Sequence, residues 1–210
     1  MKNHVVLTIG RQFGSGGHEI GNQVATRLNI PLYDKNLVRM AAEKLEISED
    51  TAKEVDETTL NKFLATYLIS PAEYVTYMSQ EEYMPPLSDQ MFEVQSGIIK
   101  DLADRGSCVI VGRCGDYVLK DNPNCLNVFI HGDKEDRVLR VAKLYKLTER
   151  KALDRMKKID KQRETYYARY TGGSWGELGT HQIMLNSSKL GIEKTVDVLC
   201  DIYEGMKKRT

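Results

Sequence analysis

The sequence predicts an α/β fold with three layers, in which helices cover both faces of a mostly parallel sheet of about five strands. Two observations lead to this prediction. Short apolar runs without an internal period, as expected of strands buried on both faces, alternate with longer segments of helical periodicity. The first run ends in a glycine-rich turn that opens directly into a helix, which is the usual start of an α/β nucleotide-binding domain.

Five apolar runs predict the strands. They lie at 5–9, 31–33, 108–111, 126–130 and 182–185. Ile20, Val24 and Leu28 recur every four residues after the glycine-rich turn and predict a helix, which Asn29 is expected to end. Further helices are predicted at 89–105, 134–145, 148–169 and 190–208.

The length of 210 residues predicts a single domain with an insert. Residues 35–88 contain no convincing strand and have the pattern of helices. These are predicted at 35–45, 49–69 and 71–80. Pro71 separates the last two, and Pro85 and Pro86 close the segment. A helical insert between the second and third strands is therefore expected at about 35–88.

Composition and charge exclude several functions. Thirty lysines and arginines balance thirty aspartates and glutamates, whereas a general nucleic-acid binder normally carries a positive excess. The chain shows neither an apolar run of the roughly 18 residues that a membrane helix needs nor the pattern of a signal peptide. The four cysteines form no C-x-x-C pair, which predicts reduced thiols and no metal site. We expect a cytoplasmic protein with small-molecule partners and with neither nucleic-acid nor membrane partners.

The glycine-rich turn predicts an anion site. Backbone N–H groups at Gly14, Gly16 and Gly17, backed by the N-terminus of a helix, would surround a phosphate without side-chain clashes. The standard phosphate loop continues with a lysine and then a serine or threonine, whereas this chain has Gly17 at the lysine position, followed by His18 and Glu19. The alternative is a tight structural turn between a strand and a helix.

Two charged residues follow the third predicted strand. Arg113 and Asp116 lie where substrates bind in open α/β sheets, at the carboxyl ends of the strands. An arginine at this position suits bidentate contact with a phosphate or a carboxylate. The alternative for Arg113 is a surface ion pair at the end of a strand.

A strongly charged helix leads into a segment of aromatic residues with a Gly-Gly pair at 172–173. Its charged residues are Arg150, Lys151, Asp154, Arg155, Lys157, Lys158, Asp160, Lys161, Arg163 and Arg169. Such a helix is often a solvated surface. The combination with 166–175 instead predicts a lid at about 155–178, whose arginines would neutralise a transferring phosphoryl group.

Four segments carry a further signal in their order and spacing. They are Ile-Gly-Arg-Gln-Phe-Gly-Ser-Gly-Gly-His-Glu-Ile-Gly at 9–21, Val-Ile-Val-Gly-Arg at 109–113, Asp-Lys-Gln-Arg at 160–163 and Asn-Ser-Ser-Lys-Leu-Gly-Ile-Glu at 186–193. Together they resemble the cytidylate kinase-like family, relatives of bacterial cytidylate kinase among the nucleoside monophosphate kinases, nearly end to end. The resemblance implies one P-loop kinase-like domain over 1–210, with the insert and the lid as parts of it.

The resemblance also implies roles for the residues singled out above. Gly14, Ser15, Gly16 and Gly17, with His18 and Glu19 in the first helical turn, would bind the phosphates of ATP, and magnesium would arrive with the nucleotide. Arg113 and Asp116 would contact the acceptor, which the insert would cover. Asp160 and Arg163 match the Asp-x-x-Arg of the lid, which binds the transferring phosphates.

The chain departs from the family at two places. The family's Gly-Ser-Gly-Lys-Gly-Thr is Gly-Ser-Gly-Gly-His-Glu here, so the lysine and the magnesium-binding hydroxyl are both missing. We expect Arg11 to supply the missing positive charge, with Lys35 and Lys158 as alternatives, and Ser15 is the nearest hydroxyl. Asp34 and Arg39 only loosely match the acceptor-binding tyrosine–arginine pair.

The function expected from the sequence is ATP-dependent phosphoryl transfer to a nucleoside monophosphate, which includes CMP, or to a similar small acceptor. Two alternatives remain open. One is a nucleotide-binding regulator that lost catalysis with the lysine, although the retained lid residues Asp160, Arg163 and Arg169 favour an enzyme. The other is a kinase of a different small metabolite, which the insert would determine.

Overall fold

The computed structural model describes residues 4–34, 36–52 and 86–208. Within these residues, five parallel strands form one sheet in the order β2-β3-β1-β4-β5. They are β1 (Val6–Arg11), β2 (Leu32–Tyr33), β3 (Cys108–Val111), β4 (Cys125–His131) and β5 (Ile183–Asn186). The predicted fold class is confirmed, and each predicted strand occurs within two residues of its expected ends.

The helices follow the predicted segments closely. They are α1 (Gly17–Leu28), α2 (Asn36–Lys44), α3 (Leu87–Arg105), α4 (Gly115–Val118), α5 (Lys134–Tyr145), α6 (Glu149–Thr171) and α7 (Ser187–Lys207), with a short 3-10 helix at Leu178–Thr180. Asn29 ends α1 in the left-handed conformation, as the sequence predicts. Residues 49–52 are helical, and the rest of the helices predicted at 49–69 and 71–80 lies outside the described residues.

Helix α7 starts three residues earlier than the sequence predicts. The side chain of Asn186 accepts hydrogen bonds from the backbone N–H groups of Ser188 and Lys189, which caps the helix at Ser187. Gly191 has φ 75° and ψ 166°, so it interrupts the helical backbone one turn later. The helical periodicity that the sequence shows therefore begins only after this kink.

Two apolar clusters fill the space between the sheet and the helical layers. On one face, α1 and α7 bury side chains such as Ile20, Val24 and Leu199 against β1, β3 and β4. On the other face, α2, α3 and the end of α4 cover Val6 and Ile110. None of the helices within the described ranges has both the length and the apolar character that crossing a membrane requires.

The topology creates a crevice at the carboxyl ends of two neighbouring strands. From β1 the chain turns to α1 on one face of the sheet, whereas from β3 it turns to α4 on the other. Adjacent strands whose connections leave in opposite directions open a crevice between their ends, where α/β proteins bind ligands. The long helix α6 crosses this end of the sheet.

Candidate active site

The crevice contains a cavity of about 220 Å³ between the strand ends and α6. Its walls include Arg11 from the end of β1, Arg113 and Asp116 after β3, Arg163 and Tyr167 on α6, and His181 before β5. Three arginines from three separate parts of the chain therefore face one small space. Such a concentration of half-buried positive charge favours an anionic ligand.

Arg11 is packed between two glycines. A Cβ atom on Gly17 would lie 2.5 Å from the Cβ of Arg11, and a Cβ on Gly112 would lie 3.0 Å from its Cζ. The stem of Arg11 thus occupies the space that a side chain at position 17 would enter, which is the position of the usual loop lysine. This packing explains why glycine stands at position 17.

The guanidinium of Arg11 is only partly compensated. Its Nη2 lies 3.7 Å from Oδ1 of Asp34, whereas its buried Nε has no hydrogen-bond partner among the described residues. Burial lowers the pKa of Arg11, the charge of Asp34 opposes this effect, and the charge of Arg113 adds to it. A nearby anion would therefore stabilise the cationic form of Arg11.

Arg163 on α6 lines the same cavity as Arg11. Its Nη1 donates a hydrogen bond of 2.8 Å to the carbonyl oxygen of Arg11. Burial lowers the pKa of Arg163, and the charge of Arg11 lowers it further. Arg11 and Arg163 therefore form a desolvated cationic pair beside the glycine-rich turn.

The turn itself has the conformation that its glycines permit. Gly14 and Gly16 adopt φ values of 84° and 79°, a region that side chains disfavour. Gly16 precedes the first residue of α1, so the first N–H groups of the helix point out of its N-terminus, where anions bind. This arrangement of backbone N–H groups is of the kind that receives anions.

Other polar groups of the turn are already bonded within the protein. The hydroxyl of Ser15 is buried and donates to the carbonyl of Gln12 at 2.9 Å, while the Ser187 hydroxyl donates to the carbonyl of Ser15 at 2.7 Å. Glu19 forms an ion pair with Arg140. The Ser15 hydroxyl and the Glu19 carboxylate are therefore both engaged by other groups of the protein.

The two residues predicted after β2 have different surroundings. Asp34 is buried, and its second oxygen lies 3.2 Å from Nε2 of His18. Arg39 is instead an exposed residue of α2, with its Nε 3.9 Å from Glu43, one turn along the helix. The structure brings Asp34 to Arg11 and His18, and it places Arg39 at the surface of α2.

A tight left-handed turn positions Asp116. Gly112, Arg113 and Cys114 have φ values of 78°, 56° and 52°, so the chain reverses sharply after β3. Asp116 is buried and accepts a hydrogen bond of 2.6 Å from the Tyr167 hydroxyl. Burial, followed by this hydrogen bond, raises the pKa of Tyr167, which keeps the hydroxyl protonated.

Two residues of the site were not expected from the sequence. His181 is buried beside the cavity, with its Nε2 3.8 Å from Oδ2 of Asp116. Arg137 on α5 is buried and contacts the glycine-rich turn. The only sequence signal for Arg137 is its spacing of four residues from buried Val141, which places an arginine on the apolar stripe of the helix. No pattern singles out His181.

Comparisons with known proteins agree with this architecture. An uncharacterized protein from Eubacterium ventriosum is 29% identical and superposes with a TM-score of 0.69, covering 95% of this chain and 98% of that chain. TT1252 from Thermus thermophilus has the same fold at 15% identity, with a TM-score of 0.52 and coverage of 97% and 98%. A comparison with curated proteins gave no match. The model of the cytidylate kinase-like family matches residues 6–189, and the chain belongs to that family.

Proposed function

We propose that the protein is an ATP-dependent phosphotransferase that acts on a nucleoside monophosphate or a similar small acceptor. The observation that carries this proposal is the convergence of Arg11, Arg113 and Arg163 on one cavity beside a glycine-rich turn. Phosphoryl transfer depends mainly on positioning and on neutralising the charge of the transferring group, and this arrangement supplies both. The membership of the cytidylate kinase-like family supports the same reaction class.

The proposed roles follow from the positions of the residues. Backbone N–H groups at Gly16 and Gly17 would receive the donor phosphates, with Arg11 as the cation that replaces the loop lysine. Arg163 would neutralise the transferring phosphoryl group from the opposite wall. Arg113 and Asp116 would contact the acceptor. Since the acceptor phosphate is itself the nucleophile, the reaction needs no strong general base.

Magnesium would reach the site with the nucleotide. The Ser15 hydroxyl donates to a backbone carbonyl, and Glu19 is paired with Arg140, so neither is directed at a metal by its present bonds. The described residues also hold no group of three His, Cys, Asp or Glu side chains that could bind a metal by themselves. In this proposal the phosphate oxygens and water supply the magnesium ligands.

The test is ADP release from ATP·Mg²⁺ across a panel of nucleoside monophosphates, nucleosides and small hydroxy acids. We expect acceptor-dependent turnover with at least one monophosphate, and a loss of about a hundredfold in kcat/KM in Arg11→Met and in Arg163→Met. Arg150→Ala removes an exposed arginine from the same helix as Arg163 and should have no effect. ATP binding without turnover on any acceptor would contradict the proposal and favour the regulator.

A further inference from the structure

Both backbone polar groups of Phe13, in the middle of the glycine-rich turn, are held by side chains from other elements. The Phe13 N–H donates to Oδ1 of Asp160 at 2.7 Å, and the Phe13 carbonyl accepts from Nε of Arg137 at 2.9 Å. Arg137 Nη2 in turn donates to Oδ2 of Asp160. The three groups form a closed set of charge-assisted hydrogen bonds, which are stronger than bonds between neutral groups.

This clamp, formed by Arg137 and Asp160, is shielded from solvent. The Arg137 side chain is 8% exposed and that of Asp160 is 20% exposed. Removing either partner would leave the other charge buried without its counter-ion. The turn also lies directly against α5, since a Cβ on Gly14 would be 2.9 Å from the Arg137 carbonyl oxygen.

The contacts of Asp160 indicate a role different from that of a phosphate ligand. One carboxylate oxygen is bonded to the turn and the other to Arg137, whereas Arg163, one turn along α6, faces the cavity. A carboxylate near the donor phosphates would repel them, but a carboxylate on the Phe13 N–H fixes the backbone just before Gly14. We propose that Arg137 and Asp160 are positioning residues, which hold Phe13 so that the N–H groups of the turn converge on the donor phosphates; this inference rests on the proposed function.

The first measurement is amide hydrogen exchange of Phe13 in the nucleotide-free protein. In Asp160→Ala we expect exchange at this amide to accelerate by about tenfold or more, because its acceptor is gone. Asp160→Asn should have a smaller effect, since the amide oxygen can still accept the bond. Glu164→Ala is the matched control: this exposed carboxylate lies on the same helix and pairs with Lys161. Unchanged exchange in Asp160→Ala would overturn the proposal.

The second measurement separates positioning from general structural damage. Asp160→Ala should raise the Kd of ATP·Mg²⁺ by about tenfold while the KM of the acceptor stays unchanged. The Arg137→Ala, Asp160→Ala double variant should lose no more than the worse single variant, because the two residues act as one unit. Equal losses toward both substrates would overturn the proposal. If Asp160→Ala does not fold, Asp160→Asn and Arg137→Lys carry both measurements.

The outcomes distinguish this inference from the proposed function. If the wild type shows no turnover but Asp160→Ala still speeds Phe13 exchange and weakens ATP binding, the phosphotransferase is contradicted and the clamp on a nucleotide-binding turn is supported. If the wild type turns over and Asp160→Ala leaves Phe13 exchange unchanged, the phosphotransferase is supported and the clamp is contradicted.

Discussion

The absence of a Cβ atom at Gly17 leaves room for the Arg11 side chain, which supplies a cation beside the glycine-rich turn. Because Gly17 contacts the stem of Arg11, an arginine at the end of β1 and a side chain at position 17 compete for one space. The cation is Arg11 at the end of β1, and its side chain packs between Gly17 and Gly112. This arrangement gives a physical reason for a turn that lacks the usual lysine.

Gly17→Ala tests this packing. Alanine is normally favoured over glycine in helices, and Gly17, the first residue of α1, has no positive φ that would forbid it. Here the new Cβ would lie 2.5 Å from the Arg11 Cβ, so we expect the free energy of unfolding in urea to fall by about 1–3 kcal/mol. Arg11→Gly should relieve part of this loss when combined with Gly17→Ala. A more stable Gly17→Ala protein would refute the steric account.

The sequence predicts some residues of the site and misses others for a clear reason. Arg11 ends β1 and Arg113 lies two residues after β3, so their place at the sheet end follows from local order along the chain. Arg137 and His181 reach the site only through the packing of α5 and of the segment before β5. Contacts that depend on how distant elements meet leave little trace in the local pattern of residues.

At the scale of elements, α6 connects the glycine-rich turn to α3. Near its middle, Asp160 and Arg163 bond to the turn. At its carboxyl end, Tyr170 stacks on Phe92 of α3 with ring centroids 4.1 Å apart. The part of the helix that lines the cavity lies between these two sets of contacts. One side of this strongly charged helix is exposed to solvent, and the other lines the cavity.

Asp89 on α3 is the polar part of the second set of contacts. It accepts hydrogen bonds from Arg169 at 2.7 Å and from the Tyr170 hydroxyl at 3.0 Å. In Asp89→Ala we expect the KM of the acceptor to rise by about threefold to tenfold, because a looser α6 carries Tyr167 and Arg163 away from the cavity. Steady-state kinetics on the best acceptor measures this change.

The matched control for Asp89 is another aspartate of the same helix. Asp101→Ala removes a carboxylate of α3 that lies 3.8 Å from Lys44 of α2 instead of bonding to α6. It should leave the KM unchanged. If both variants raise the KM equally, the effect comes from α3 itself and the connection through α6 is refuted.

At the scale of the whole molecule, the order of the strands determines where the candidate site lies. The apolar runs predict which segments are strands, but they do not predict that β1 lies between β3 and β4. That order brings the residues after β1 and β3 to one crevice. The sheet order is set by the burial of side chains on both faces, which a local pattern of residues does not encode.

The same buried sheet makes the stability of the molecule sensitive to alkaline pH. Cys108 on β3 and Cys125 on β4 flank Val6 on either side, and burial raises the pKa of each thiol to about 12 from 9.0. A raised pKa in the folded state favours the protonated thiol, so this contribution to stability is complete below about pH 9 and is lost as the pH rises toward 12. At pH 10 each thiol should lower the free energy of unfolding by about 1.4 kcal/mol, because it ionises in the unfolded chain and stays protonated in the folded one.

We therefore expect the urea-derived free energy of unfolding to fall by about 3 kcal/mol more between pH 8 and pH 10 in the wild type than in the double variant Cys108→Ala, Cys125→Ala. Equal slopes in the two proteins would show that the thiols ionise in the folded state, and that the sheet is open to solvent at this end.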